Sequence, residues 1–162
     1  MSQKKETERS ITEPLRFAQC DPTHADATAL LAELNAALQT VTGCDGSASF
    51  DYQDVRGQGT AFLVAYHGDR PVACGGIRPL GSGTAEVKRV YAREHGTGAP
   101  LLRALETLAA QAGYTRLVCE TRRVNARAIA FYLRCGWHET EPYGKYVGKP
   151  EAVCFERLLP VE

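Results

Sequence analysis

The chain has 162 residues, 44% hydrophobic and 23% charged, with Lys plus Arg and Asp plus Glu balanced at 19 each. That is ordinary globular composition at a length that favours one domain, and the zero net charge argues against a general binder of nucleic acid or another polyanion. No apolar run approaches the ~20 residues that cross a bilayer, and residues 1–13 lack the apolar core of an export signal. A cytoplasmic protein with no membrane or nucleic-acid partner is expected, with a flexible tail over 1–13 and one domain over 14–162.

Residues 15–19 read as a first short strand. Asp21 suits a helix N-cap, with Pro22 at the first helical position. Leu30, Leu31, Leu34, Leu38 and Val41 follow at helical spacing, and Gly43 is the stop. Residues 44–59 are rich in Gly, Asp and Ser and read as a loop with room for a short helix, a candidate substrate-contacting segment. From Thr60 the pattern is that of strands: 61–66, a turn at His67-Gly68-Asp69-Arg70, a return over 71–79, a tight turn at Gly81-Ser82-Gly83, and a third strand over 84–92. Turns this short join antiparallel neighbours, so the three form a meander.

The next helix has Leu101, Leu102, Leu105, Leu108 and Ala112 on its inner face and ends at Gly113. Its crossover makes the following strand, 116–120, parallel to the one before it. A helix over 125–135 stops at Gly136, a short strand lies near Trp137, and a last strand covers 153–159. The fold class is α+β, a mixed and mostly antiparallel twisted sheet flanked by helices. Cys20, Cys44, Cys74, Cys119, Cys135 and Cys154 form no C-x-x-C pair, which points to free thiols in a reducing compartment rather than a disulfide framework.

The most informative stretch is Arg93-Glu94-His95-Gly96-Thr97-Gly98-Ala99, which joins a strand to a helix with no intervening linker. Glycines let backbone N–H groups converge on one spot, and the helix N-terminus adds the positive end of its dipole. With Arg93 supplying charge, a pyrophosphate is the natural guest. A lone Gly-x-Gly also shapes ordinary turns, so other nucleotide sites need weighing. A P-loop would place Gly-Lys-Ser/Thr after the glycines, where Ala99 and Pro100 stand; a dinucleotide fingerprint would place a third glycine at Leu101. Glu120 sits about 20 residues on, as that fingerprint expects, but the antiparallel strands before the turn speak against it.

A second constellation is Asn125-Ala126-Arg127-Ala128-Ile129-Ala130-Phe131-Tyr132-Leu133-Arg134-Cys135-Gly136-Trp137. It resembles the N-x-x-A-x-x-F/Y-Y-x-x-x-G-F/W signature of the GNAT acetyltransferases, and Arg93-x-x-Gly96-x-Gly98 resembles that family's acyl-CoA element. The order of the two, with one strand between, fits as well. The resemblance covers about residues 60–160 and implies a GNAT-like fold, acetyl-CoA as co-substrate, and transfer of an acetyl group to a primary amine on a small molecule or peptide. It implies that backbone amides of His95, Gly96, Thr97, Gly98 and Ala99 hold the pyrophosphate with Arg93 close by. Val90, Tyr91 and Ala92 would pair with the pantetheine arm as an added strand. Asn125 would contact the arm or adjoining backbone, and Tyr132 would lie near the thioester sulfur. A homodimer is a family-level expectation. Tyr91-Ala92 runs straight into Arg93, so the loop before the glycines is about four residues shorter than the family pattern.

Direct transfer needs a base for the amine and a proton for the departing thiolate. Tyr132 suits the second need, because a phenol stays protonated at neutral pH; the plainer reading is a core aromatic beside Phe131. Glu86 is the first candidate for the base. On an alternating strand Glu86, Lys88 and Val90 share one face and Val87, Arg89 and Tyr91 the other, barring a bulge. A surface carboxylate paired with Lys88 or Arg89 is the alternative reading of Glu86. Glu120 is the second candidate and His138 the third. Tyr143-Gly144-Lys145-Tyr146 could line an acceptor pocket. His24, His67 and His95 are too widely spread for metal-ligand spacing, and no metal is expected. A non-catalytic acyl-CoA-binding module stays open as an alternative to an enzyme.

Overall fold

The computed structural model describes residues 14–160; the expected tail over 1–13 lies outside them. In chain order the elements are β1 (Leu15–Gln19), α1 (Ala25–Thr42), two short 3-10 turns (Ser47–Ser49 and Tyr52–Val55), β2 (Ala61–His67), β3 (Arg70–Gly81), β4 (Thr84–Ala92), α2 (Gly98–Gln111), β5 (Arg116–Arg122), α3 (Ala126–Arg134), β6 (His138–Thr140), a 3-10 turn (Gly144–Tyr146) and β7 (Ala152–Leu158). The strands form one seven-stranded sheet in the order β1-β2-β3-β4-β5-β7-β6. β2, β3 and β4 make the expected antiparallel meander, and β4 and β5 are parallel across the α2 crossover.

The sheet is covered on both faces. Along β2, Ala61, Leu63 and Ala65 point into one core and Phe62, Val64 and Tyr66 into the other, the alternation a strand requires. Leu101, Leu102, Leu105 and Ala109 of α2, with Tyr132 of α3, fill the first core. Ala27, Leu30, Leu31 and Leu34 of α1 fill the second.

The start of α1 differs from its sequence reading. His24, not Asp21, holds the cap position, and its Nδ1 accepts from the Asp26 amide at 3.2 Å. Asp21 is drawn off by Arg56, whose Nε and Nη2 each donate to it at 2.8 Å. That bidentate guanidinium holds the Asp21 carboxyl well below the usual carboxylate range. Val41, the last of the helically spaced series, is 49% exposed.

Two irregularities of β4 shape the functional region. Cys74 pairs with Tyr91 but Gly76 with Lys88, so three steps of β4 answer two of β3. This is a β-bulge, and Arg89 within it has φ 59°. The simple alternation therefore fails: Val90 joins Val87 against the α2 core, while Arg89 turns toward α1, donating to Asn35 and to the Asp45 carbonyl (3.4 Å). Past Glu86, just before the bulge, β4 and β5 separate. They pair only from Thr84–Arg116 to Glu86–Val118, while β5 stays bonded to β7 as far as Arg122. A wedge opens in the middle of the sheet.

Candidate active site

The mouth of the wedge is the glycine turn. The amides of Arg93 and Glu94 both donate to the Val72 carbonyl (2.8 and 3.3 Å), which pins the chain as it leaves β4. Gly96 has φ 84°, a conformation that a Cβ would strain. Gly98 serves a different need: a Cβ there would lie 3.3 Å from Phe131 and 3.4 Å from Ala92, so its absence lets α2 seat against α3 and β4. Thr97, at 3% exposure, turns its hydroxyl inward to the carbonyls of Glu94 (2.6 Å) and Val72 (3.3 Å). It makes no side-chain cap to α2. The first-turn amides of α2, those of Gly98 and Ala99 among them, thus have neither an intrahelical partner nor a side-chain cap, the arrangement that receives an anion.

Arg93 does not face this turn. Its Nε donates to both oxygens of Glu33 on α1 (3.0 and 2.9 Å), its Nη1 donates to the Pro71 carbonyl (3.0 Å), and Tyr91 donates to the same Glu33 at 3.1 Å. The sequence places Arg93 beside a phosphate; its guanidinium is instead matched to a carboxylate 60 residues earlier in the chain. His95 and Gly96 lie exposed at the turn. Asn125 is also committed locally, its side-chain oxygen accepting from the Ala128 amide at 3.1 Å as the cap of α3.

Inside the wedge, Cys119 is the first residue of β5 past the last pair with β4. Tyr132 approaches it from α3, and the phenol and the thiol each raise or lower the other's pKa. The ring is wedged against Phe155 (centroids 5.7 Å, stacked), Trp137 (5.4 Å) and Phe131 (5.2 Å). Burial pushes both the Tyr132 phenol and the Cys119 thiol well up, so both are protonated at neutral pH.

On the opposite face of the sheet lies a polar cluster. Glu86, at 2% exposure, accepts from Arg78 Nε at 2.7 Å and from the Tyr143 hydroxyl at 2.5 Å. Lys88 lies 3.8 Å from Glu86 and 3.9 Å from Asp54. Burial lowers the Lys88 pKa and raises that of Tyr143. Glu120 belongs to this face too. Burial raises its pKa, with the nearby Arg122 acting the other way. Tyr143 and Tyr146 meet edge to face at 5.4 Å. His138, the third base candidate, is exposed on β6, at the edge of the sheet with β7 between it and β5.

Arg78, Asp54 and Glu33 went unremarked in the sequence, and Cys119 was read only as one free thiol among six. For Arg78 a signal existed: counting back through the Gly81-Ser82-Gly83 turn sets it opposite Glu86. The others are joined to the site by contacts across long stretches of chain.

A sheet that parts between two parallel strands, with an uncapped helix N-terminus at the opening and a phenol at the floor, is the architecture of a protein that grips an anionic, extended ligand. The profile of the Acetyltransferase (GNAT) family matches residues 26–137, and the chain belongs to that family. It is an acyltransferase, with relatives so named. It is 30% identical over 148 residues to a protein named IAA acetyltransferase from Azospirillum brasilense, covering 88% of this chain and 97% of the other. Among solved structures it is similar to a candidate acyl-CoA N-acyltransferase from Klebsiella pneumoniae, with TM-score 0.73, 29% identity, and 90% and 97% of the two chains covered. An acetyltransferase from Bacillus subtilis solved with CoA shares the fold at TM-score 0.67 and 15% identity, with 91% and 100% covered.

Proposed function

We propose that this protein is a cytoplasmic N-acetyltransferase that moves an acetyl group from acetyl-CoA to a primary amine by direct transfer. One observation carries the reading: the wedge between β4 and β5 joins the uncapped start of α2 to the Tyr132 hydroxyl. Acetyl-CoA would supply the activated acyl group as a thioester. Amides from Gly96 to Ala99 would hold its pyrophosphate, and the edge of β4 over Val90, Tyr91 and Ala92 would hydrogen-bond its arm as a missing strand does. The CoA complex of the Bacillus subtilis neighbour and the name of the Azospirillum relative support the ligand class. All six cysteines are unpaired, which suits a reducing cytoplasm.

Two side chains would move protons. Tyr132 would give its proton to the departing thiolate, a far better acceptor than the neutral thiol of Cys119 beside it. For the base we choose Glu120 over Glu86. Both Glu86 oxygens are already engaged by Arg78 and Tyr143, whereas burial makes Glu120 a stronger base than an ordinary carboxylate. The acceptor would enter on that face, a small molecule or peptide whose amine the paired tyrosines can frame.

The test is thiol release from acetyl-CoA in the presence of a panel of amines, with Tyr132→Phe alongside. Tyr132→Phe should lower kcat ~10²-fold or more while acetyl-CoA affinity by calorimetry stays within about twofold, since the pyrophosphate contacts are untouched. No measurable binding of CoA or acetyl-CoA to the wild-type protein would overturn the proposal.

A further inference from the structure

Glu86 stands where β4 and β5 part, and its two oxygens serve two different loops. Oε2 accepts the Tyr143 hydroxyl, and Tyr143 opens the 3-10 turn in the segment between β6 and β7. Oε1 accepts Arg78 Nε, and Arg78 Nη1 lies 3.9 Å from Asp54, in the turn Tyr52–Val55 between α1 and β2. Lys88 stands between the same two carboxylates. Asp54 is itself fixed by the Asp51 amide, which donates to it at 3.1 Å. A carboxylate withdrawn from water is tolerated only when its oxygens have partners, so each partner's position is bound to the others'.

We infer that Glu86 is a positioning residue that couples two loops, holding residues 141–151 through Tyr143 and residues 44–59 through Arg78 and Asp54 in one arrangement. The geometry alone carries the coupling; that these loops frame the acceptor rests on the function proposed above. Glu86 is thereby moved from the base to the frame around it.

Hydrogen exchange on the full chain tests this without an acceptor. The amides of Tyr146, Val147 and Lys149 report one loop and those of Asp54 and Arg56 the other, each bonded within its own turn. Glu86→Gln places an amide where a donor now points, and should speed exchange about fivefold or more in both groups, leaving Val64 in the centre of β2 unchanged. Tyr143→Phe, the milder variant, should speed the first group strongly and the second by about twofold. Unchanged exchange at 54 and 56 in both variants overturns the coupling, as does acceleration of Val64 to the same extent as the loops. In kinetics with any amine the wild type acetylates, Glu86→Gln should raise the amine KM with kcat within about tenfold; a ~10³-fold loss of kcat at constant KM would make Glu86 the base and overturn its role as positioner. Exchange decides the coupling whether or not an amine is acetylated, so failure of the reaction and failure of the coupling are read apart.

Discussion

Glu120 and Tyr132 lie on opposite faces of the sheet at β5, and burial favours the neutral form of both. For the phenol this preserves a proton to give. For the carboxyl it lifts the pH at which a base becomes available. The acid limb of kcat should therefore have its midpoint above the ordinary carboxyl value of 4.5, and Glu120→Gln should lower kcat ~10²-fold or more and abolish that limb. The shift also has a sign in stability. A carboxyl with a raised folded pKa stabilises the fold fully below its unfolded value, and the contribution is lost as pH rises through the folded value. Glu120→Gln stays neutral throughout, so its melting temperature should exceed that of the wild type at pH 8 and converge with it near pH 4. A constant difference across that range would exclude burial of the charge as the cause. Tyr132 was legible because it sits in a local pattern. The engagement of both Glu86 oxygens was not, because Arg78 and Tyr143 hold them, the latter from 57 residues away.

At the level of elements, β4 was legible to its ends and illegible in its middle. Thr84–Ala92 is bounded by a glycine turn and a glycine cradle that any reader of the sequence meets. The bulge has no such sign, because Arg89 rather than glycine adopts the positive φ. What holds it there is tertiary: Asn35, Asp45 and the face of Phe50 at 5.4 Å. A strict two-residue period then puts Val90 on the wrong face. The two glycines of the cradle separate conformation from space. Gly96→Ala meets no atom within 4 Å, so its cost is that of the left-handed backbone, about 1–2 kcal/mol, measurable by denaturant unfolding. Gly98→Val instead pushes into Phe131 and Ala92 and should tilt the start of α2 from the wedge, weakening acetyl-CoA binding about tenfold or more by calorimetry for a misplaced amide pair. Equal affinity of Gly98→Val and wild type would mean that the start of α2 does not contact the ligand.

Across the whole molecule, the sheet gives up pairing in its own centre. β4 is held by β3 on one edge along most of its length, yet by β5 at only three positions. A domain with two well-filled cores can carry such a gap, and a ligand that bonds the open edge of β4 would restore part of the missing ladder. Binding to the folded state alone stabilises by RT ln(1 + [L]/Kd), about 2.7 kcal/mol at a hundredfold excess over Kd. For a chain of this size each kcal/mol moves the melting temperature by about 2–4 °C, so saturating acetyl-CoA should raise it by roughly 5–11 °C. Pyrophosphate alone, which can occupy the start of α2 but has no arm to lie along β4, should give a much smaller rise at the same concentration. NAD or ATP matching acetyl-CoA would mean that the wedge adds nothing to recognition, and that the open edge of β4 is a structural defect rather than a binding surface.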